Sequence, residues 1–141
     1  MEQTGASPAD APLTVFVIAG EPSGDLLGAR LMEAIKRQAG RTVKFAGIGG
    51  PRMEAQGMTS LFPMADLTVM GFVEVLPRAV GILRRMSRTV RAIKDQKPDV
   101  LVTIDAPGFC FRVLRKLRNS PVRKIHYVAP SVWAWRPGRA K

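Results

Sequence analysis

Asp105 is the residue best placed for chemistry, because its carboxylate directly follows the apolar run Val100–Ile104. A run that is almost continuously apolar is typical of a strand buried inside a parallel sheet. A carboxylate at the end of such a strand can act as a general base. It can equally cap the helix that is predicted to begin near Phe109, or bond the turn Ala106–Gly108. Position alone leaves the catalytic and the structural interpretation open.

Two glycine-containing turns follow other apolar runs, GEPSGD at residues 20–25 and GIGGP at residues 47–51. Glycines let the backbone approach a ligand closely, and the start of the next helix offers unpaired N–H groups. Neither turn has the spacing of the dinucleotide-binding fingerprint. From pattern alone, Ser23 and Asp25 are better interpreted as helix caps, and residues 47–51 as a tight strand-to-helix turn.

The single histidine and the single cysteine, His126 and Cys110, have no neighbours at the spacing of a metal site or a nucleophilic triad. His126 falls on a predicted strand and is interpreted as structural. Cys110 lies between Phe109 and Phe111 and is interpreted as a core residue. Neither residue therefore indicates a zinc site or nucleophilic chemistry.

Apolar runs alternate with helical patterns along the chain, and this alternation positions the three loops. It indicates βαβ units, and hence an α/β fold with a doubly wound, mostly parallel sheet. The strands are predicted at 13–19, 43–46, 100–104 and 123–128, and the helices at 25–38, 51–56, 72–96 and 109–119, with a short strand and a loop over 60–71. Ligands bind such sheets at the carboxyl ends of the strands, where both glycine turns and Asp105 fall.

Length and composition indicate one globular domain, since the chain has 141 residues, of which 46% are hydrophobic and 23% charged. Residues 1–12 are predicted to form a loose leader and residues 13–141 the domain. The apolar run at 13–19 is too short to span a bilayer, and no basic segment precedes it. A cytoplasmic protein, or one on the cytosolic face of a membrane, is expected.

Charge is distributed unevenly within the net +11. Residues 1–75 hold six Lys or Arg against eight Asp or Glu, whereas residues 76–141 hold sixteen against three. Such asymmetry indicates a surface for polyanions, or a partner domain that supplies compensating acid. A nucleic-acid-binding module would explain the charge, and a nucleotide-dependent oxidoreductase would explain the fold. The sequence contains the characteristic motif of neither class.

An apolar segment precedes the arginine-rich helix, a combination that suits contact with a membrane surface. The predicted contact residues are Val69, Met70, Phe72, Val73, Val75 and Leu76. The alternative is a helix that packs one apolar stripe on the sheet and leaves a solvated charged back. That stripe would consist of Val80, Leu83, Met86, Val90 and Ile93.

Five strings in order resemble the successive motifs of lipid-A-disaccharide synthases. They are AGEPSGD (19–25), GIGGPRME (47–54), VMGFVEVLPR (69–78), PDVLVTIDAPGF (98–109) and HYVAPSVWAWRPGR (126–139). The resemblance implies a glycosyltransferase of the GT-B type, with two Rossmann-like domains facing a cleft. This chain would be the N-terminal, acceptor-side domain, ending before the C-terminal donor domain.

The resemblance also implies a reaction. The family transfers 2,3-diacylglucosamine from UDP-2,3-diacylglucosamine to 2,3-diacylglucosamine 1-phosphate, with inversion. The products are UDP and the β-1′,6 disaccharide 1-phosphate of lipid A biosynthesis. No cofactor or metal is implied, and the enzyme would sit peripherally on the cytosolic face of the inner membrane. Its partners would be the two lipid substrates, that membrane surface, and the missing C-terminal domain or a second copy in a homodimer.

The family motifs assign roles residue by residue. Asp105 matches the expected general base, and the segment 69–76 matches the membrane-contacting patch. The matching substrate-binding positions are Gly20, Glu21, Ser23, Gly24, Asp25, Ser131 and Trp133. Gly108 departs from the pattern, because many members carry a second acid there. Without a donor domain the chain alone is expected to be inactive; the alternative is a catalytically silent fragment that binds lipid or membrane.

Overall fold

The computed structural model describes residues 11–70 and 76–127. Their elements are, in chain order, β1 (Leu13–Ala19), α1 (Pro22–Gln38), β2 (Val43–Ile48), α2 (Pro51–Glu54), α3 (Ala65–Met70), α4 (Leu76–Gln96), β3 (Val100–Ile104), α5 (Pro107–Lys116) and β4 (Arg123–Tyr127). The four strands form one sheet in the order β2-β1-β3-β4. Every pair of neighbours is parallel, which confirms the predicted α/β class.

Helices cover both faces of the sheet, because side chains alternate along each buried strand. On one face Val15 and Val17 pack in a cluster with Met32 of α1 and Met53 of α2. On the other face Phe16 and Ile18 share a cluster with residues of α4 and α5. Its members on these two helices are Met86, Val90, Ile93, Cys110 and Val113. The cluster also includes Leu117, which directly follows α5, and Leu67 of α3.

The strands β1 and β3 have the predicted bounds, whereas several helices differ. α1 begins at Pro22 rather than at residue 25, because proline fits the first turn of a helix, where no N–H is needed. The segment 60–71, predicted as a short strand and a loop, contains α3 instead. α4 begins at Leu76.

Burial of α4 follows the predicted stripe only in part. Met86, Val90 and Ile93 are buried as predicted, together with Thr89. Leu83 is 58% exposed, so its assignment to the stripe was wrong. The side chain of Val80, the remaining member of the stripe, lies outside the described residues.

Gly47 shows why the second turn needs glycine. Its φ is +143°, and a Cβ added there would lie 1.8 Å from the carbonyl oxygen of Val17 on the neighbouring strand. No side chain fits at that distance, so Gly47 lets β2 pair closely with β1. The tight strand-to-helix turn predicted at residues 47–51 is confirmed, because α2 starts at Pro51.

Candidate active site at the carboxyl edge of the sheet

The strand order places a topological switch point between β1 and β3. The chain moves from β1 to β2 on one side, and from β3 to β4 on the other. In open α/β sheets ligands bind in the crevice outside the carboxyl ends of the strands at such a point. The loops there are residues 20–25 after β1 and the turn that begins with Asp105 after β3.

The two loops touch at Gly20. A Cβ added to Gly20 would lie 3.0 Å from the Cβ of Ala106 and 3.4 Å from that of Leu67 in α3. A larger side chain would push the loops apart, because both neighbours are themselves Cβ atoms with no freedom to rotate away. Gly20 therefore allows the two loops to meet.

Asp105 lies in an unusual backbone conformation. Its φ is +49°, and Ala106 follows with φ +42°. Two consecutive non-glycine residues with positive φ cost about 1–3 kcal/mol each and are concentrated at functional sites. The Asp105 amide donates a hydrogen bond of 3.1 Å to the carbonyl of Tyr127, which ties the turn to the end of β4.

The alternative role of Asp105 as the cap of α5 was wrong. The N-cap residue of α5 is Ala106, which makes no side-chain capping bond, and Pro107 starts the helix. The Asp105 side chain is half-buried at the switch point, one residue before the helix cap. Asp105 therefore lies at the carboxyl edge of the sheet, and its role as general base stays a prediction.

Asp25 joins the loop after β1 to the loop after β2. Its carboxylate is 3% exposed and accepts three backbone hydrogen bonds from the start of α2. The donors are the amides of Gly50 at 3.0 Å, Arg52 at 3.0 Å and Met53 at 2.9 Å. Asp25 thus caps α2 across space instead of its own helix, which corrects the simple capping interpretation. A direct substrate contact by Asp25 stays a prediction.

The other residues of the first loop divide by exposure. Gly20 and Gly24 are buried, and Gly24 packs close to Ala19 and Ile104. Glu21 and Ser23 are exposed at the start of α1, where their side chains are available to a ligand. Ser131 and Trp133 lie outside the described residues.

Sequence reasoning missed Thr103, which is fully buried on β3 beside the candidate base. Its hydroxyl and the Nδ1 atom of His126 share a hydrogen bond of 2.7 Å, whose donor depends on the ring tautomer. The available signal was a hydroxyl inside an otherwise apolar strand.

Cys110 is a core residue, as predicted. Burial raises the pKa of its thiol to about 12, and the nearby Asp105 carboxylate acts in the same direction. A thiol with this pKa stays protonated at neutral pH, so Cys110 is not a nucleophile.

Two open depressions lie elsewhere on the described surface. One follows the exposed face of α4 and is lined by Leu83, Arg84, Ser87, Arg88 and Arg91. The other, about 790 Å³, lies near the amino ends of β3 and β4, and its charged lining residues are Lys94, Lys97, Asp99, Lys116 and Arg123. Neither contains Asp105, and the amino ends of parallel strands are not where such sheets bind ligands. The switch point is therefore the better candidate site.

The side chains of all six predicted membrane contacts fall outside the part of the chain that the structure describes. Phe72, Val73 and Val75 lie outside the described residues, as do the side chains of Val69, Met70 and Leu76. Within the described ranges, no helix is long and apolar enough to cross a bilayer. Also among those residues, no three His, Cys, Asp or Glu side chains group closely enough to hold a metal ion.

The four-stranded parallel sheet, covered by helices on both faces, defines a Rossmann-like α/β domain. The family described as lipid-A-disaccharide synthetase matches residues 15–141. The chain belongs to the lipid-A-disaccharide synthase family.

Three relatives of that name illustrate the match. The chain is 56% identical to the lipid-A-disaccharide synthase of Rhodospirillum centenum over 132 residues, which cover 92% of this chain and 33% of the relative. It is 58% identical to that of Paramagnetospirillum magneticum, over 92% of this chain and 34% of the relative. It is 51% identical to that of Pseudomonas paraeruginosa, over 90% of this chain and 33% of the relative. The chain thus spans about a third of the length of these relatives.

Replacing Asp25 tests the link between the loop after β1 and the loop after β2. Asp25→Ala leaves three amides at the start of α2 without their acceptor, and is expected to lower the free energy of unfolding by about 3–5 kcal/mol. Asp25→Asn, which keeps one carbonyl oxygen, should cost about 1–3 kcal/mol. Urea unfolding followed by circular dichroism measures both changes.

The matched control is Ser23→Ala in the same loop, whose exposed side chain should contribute no more than about 0.5 kcal/mol. A loss below about 1 kcal/mol for Asp25→Ala would show that the three hydrogen bonds do not hold the loops together.

Proposed function

We propose that this chain is the acceptor-side domain of a lipid-A-disaccharide synthase. The domain would bind 2,3-diacylglucosamine 1-phosphate at its carboxyl edge, while UDP-2,3-diacylglucosamine is held by a further domain. The observation that carries this proposal is the position of Asp105, at the switch point and in a strained turn against Gly20. The two lipid substrates are those that the resemblance to the family implies, and they are part of this proposal.

In the proposed reaction Asp105 is the general base. It takes the proton from the acceptor 6-hydroxyl as that oxygen attacks the anomeric carbon of the donor from the face opposite UDP. The carbon–oxygen bond to UDP breaks as the new glycosidic bond forms, so the anomeric configuration inverts. A carboxylate suits this task because it can accept a proton at neutral pH and needs no metal.

The first loop supports binding of the acceptor in the same crevice. Glu21 and Ser23 present a carboxylate and a hydroxyl at the start of α1, within the loop that contacts the Asp105 turn through Gly20. Polar groups of this kind can accept or donate hydrogen bonds to sugar hydroxyls. Buried Gly24 and Asp25 would shape and hold the loop.

Contact with an anionic membrane is a second part of the proposal. Leu83 is 58% exposed on α4, and Arg84, Arg88 and Arg91 on the same helix are also exposed. Arg85 of the same helix instead forms an ion pair of 2.8 Å with Asp66, so it does not belong to this set of arginines. Exposed apolar and basic side chains on one helix suit the headgroup region of a bilayer, where the apolar segment 69–76 would insert.

Catalysis is expected only when a donor domain is supplied. Incubated alone with both lipid substrates, the chain should release no UDP. Fused to the C-terminal two-thirds of the Paramagnetospirillum magneticum relative, it should release UDP, and Asp105→Asn should lower kcat by about 10²–10⁴ with little change in KM.

Asp99→Asn in the same fusion controls for loss of an acid elsewhere on the domain and should leave kcat within a factor of about three. The proposed base would be wrong if Asp105→Asn kept more than a tenth of the parental kcat. Turnover by the unfused chain would show that it is complete as an enzyme. A fusion that is folded but inactive would favour a silent lipid-binding fragment.

Membrane contact is tested by co-sedimentation with vesicles of phosphatidylglycerol and phosphatidylethanolamine. Changing Phe72, Val73 and Leu76 together to serine should weaken binding about tenfold or more, because three apolar side chains no longer leave water. Neutral phosphatidylcholine vesicles should bind the parent more weakly, since the arginines lose their anionic partners.

Ile125→Ser is the matched control, because Ile125 is 52% exposed on β4, away from α4. Equal binding by the parent and the triple variant would mean that segment 69–76 does not touch the bilayer. Binding to nucleic acid with strong salt dependence, but not to anionic vesicles, would point to the alternative module.

A further inference from the structure

The end of β4 is connected to the Asp105 turn by more than the sheet. Thr103 and His126 are register partners on β3 and β4, as are the next two residues, Ile104 and Tyr127. The Tyr127 carbonyl accepts the Asp105 amide at 3.1 Å. His126 therefore directly precedes Tyr127, whose carbonyl accepts the hydrogen bond that holds the strained turn.

The His126 ring makes contacts with two other elements. Its Nδ1 atom is 2.7 Å from the hydroxyl of Thr103, which is fully buried. The ring also packs against Phe111 of α5, with centroids 4.9 Å apart and an interplanar angle of 55°. Three elements meet at Asp105, namely β3, β4 and α5. His126 lies on β4 and contacts one residue on each of the other two elements, β3 and α5.

We propose that Thr103 and His126 are positioning residues that fix the Asp105–Ala106 turn through their partly buried hydrogen bond. Positive φ at two non-glycine residues persists only where the surroundings determine it. The side-chain bond fixes the spacing of β3 and β4 two residues before the turn begins at Asp105. The backbone bond from Asp105 to Tyr127 then holds the turn.

The role of this pair in catalysis rests on the proposed function of Asp105, whereas its role in the geometry of the turn does not. The two are separable, because the Asp105 amide reports directly on the bond to Tyr127 by hydrogen exchange. The same measurement on Val17 in central β1 reports on the stability of the whole sheet.

The test uses this chain labelled with ¹⁵N, and compares exchange at the Asp105 amide with exchange at the Val17 amide. Thr103→Val and His126→Phe each remove the bond, the second while keeping a ring against Phe111. Each should raise Asp105 exchange at least tenfold relative to Val17. Thr103→Ser and His126→Asn, which keep a hydrogen-bonding atom at these positions, should leave the ratio within threefold.

Thr89→Val is the matched control, since Thr89 is also fully buried and its hydroxyl donates a 2.7 Å bond to the Arg85 carbonyl on α4. It should change exchange throughout the sheet without changing the ratio.

The double variant Thr103→Val/His126→Phe addresses the possibility that a single variant fails to fold. Replacing both partners by apolar groups leaves neither of the two facing an unpaired polar atom of the other, and should be less destabilising than either single change. If the pair positions Asp105, the ratio stays raised at least tenfold in this variant.

The proposal is overturned if the double variant returns the ratio to its parental value, or if Thr89→Val moves the ratio as far. If the ratio behaves as expected but Asp105→Asn leaves the fusion enzyme active, the positioning stands and Asp105 is not the base.

Discussion

The buried carboxylate of Asp25 is the interaction on which the carboxyl edge of the sheet depends. Three N–H groups of α2 converge on it, so the loop after β1 and the loop after β2 are held in one arrangement. A charged group in this position is stable only with such donors. Because the first loop is fixed in this way, Gly20 can be held against Ala106, and the turn after β3 acquires a rigid neighbour.

The edge is therefore connected loop to loop in the order of the strands. Asp25 links the β2 and β1 loops, Gly20 links the β1 and β3 loops, and the amide of Asp105 links the β3 loop to the end of β4. This series of contacts keeps the candidate base at the switch point although its own backbone is strained. The amino edge has an open basic crevice instead. Its lysines and arginine lie near the C-terminal ends of α4 and α5, where the helix dipole stabilises positive charge.

Much of this arrangement could be predicted from apolar periodicity, because β1 and β3 are almost continuous apolar runs with clear ends. The sequence also placed Asp105 at the carboxyl edge. It could not show that Asp25 caps α2, since a capping bond across 25 or more residues leaves no local pattern. Nor could it predict that Leu83 is exposed, because periodicity identifies a face but not where its contact with the sheet begins. The Thr103–His126 pair depends on strand register, which local sequence does not determine.

The most direct test of the central claim is acceptor binding to this chain, followed residue by residue. Diacylglucosamine 1-phosphate in detergent micelles is titrated into the ¹⁵N-labelled protein, with a parallel titration of empty micelles as the control. The account predicts amide shift changes at Gly20, Ser23 and Asp105 that empty micelles do not produce. Changes confined to the basic crevice, at Lys97 and Arg123, or changes that empty micelles reproduce in full, would contradict it.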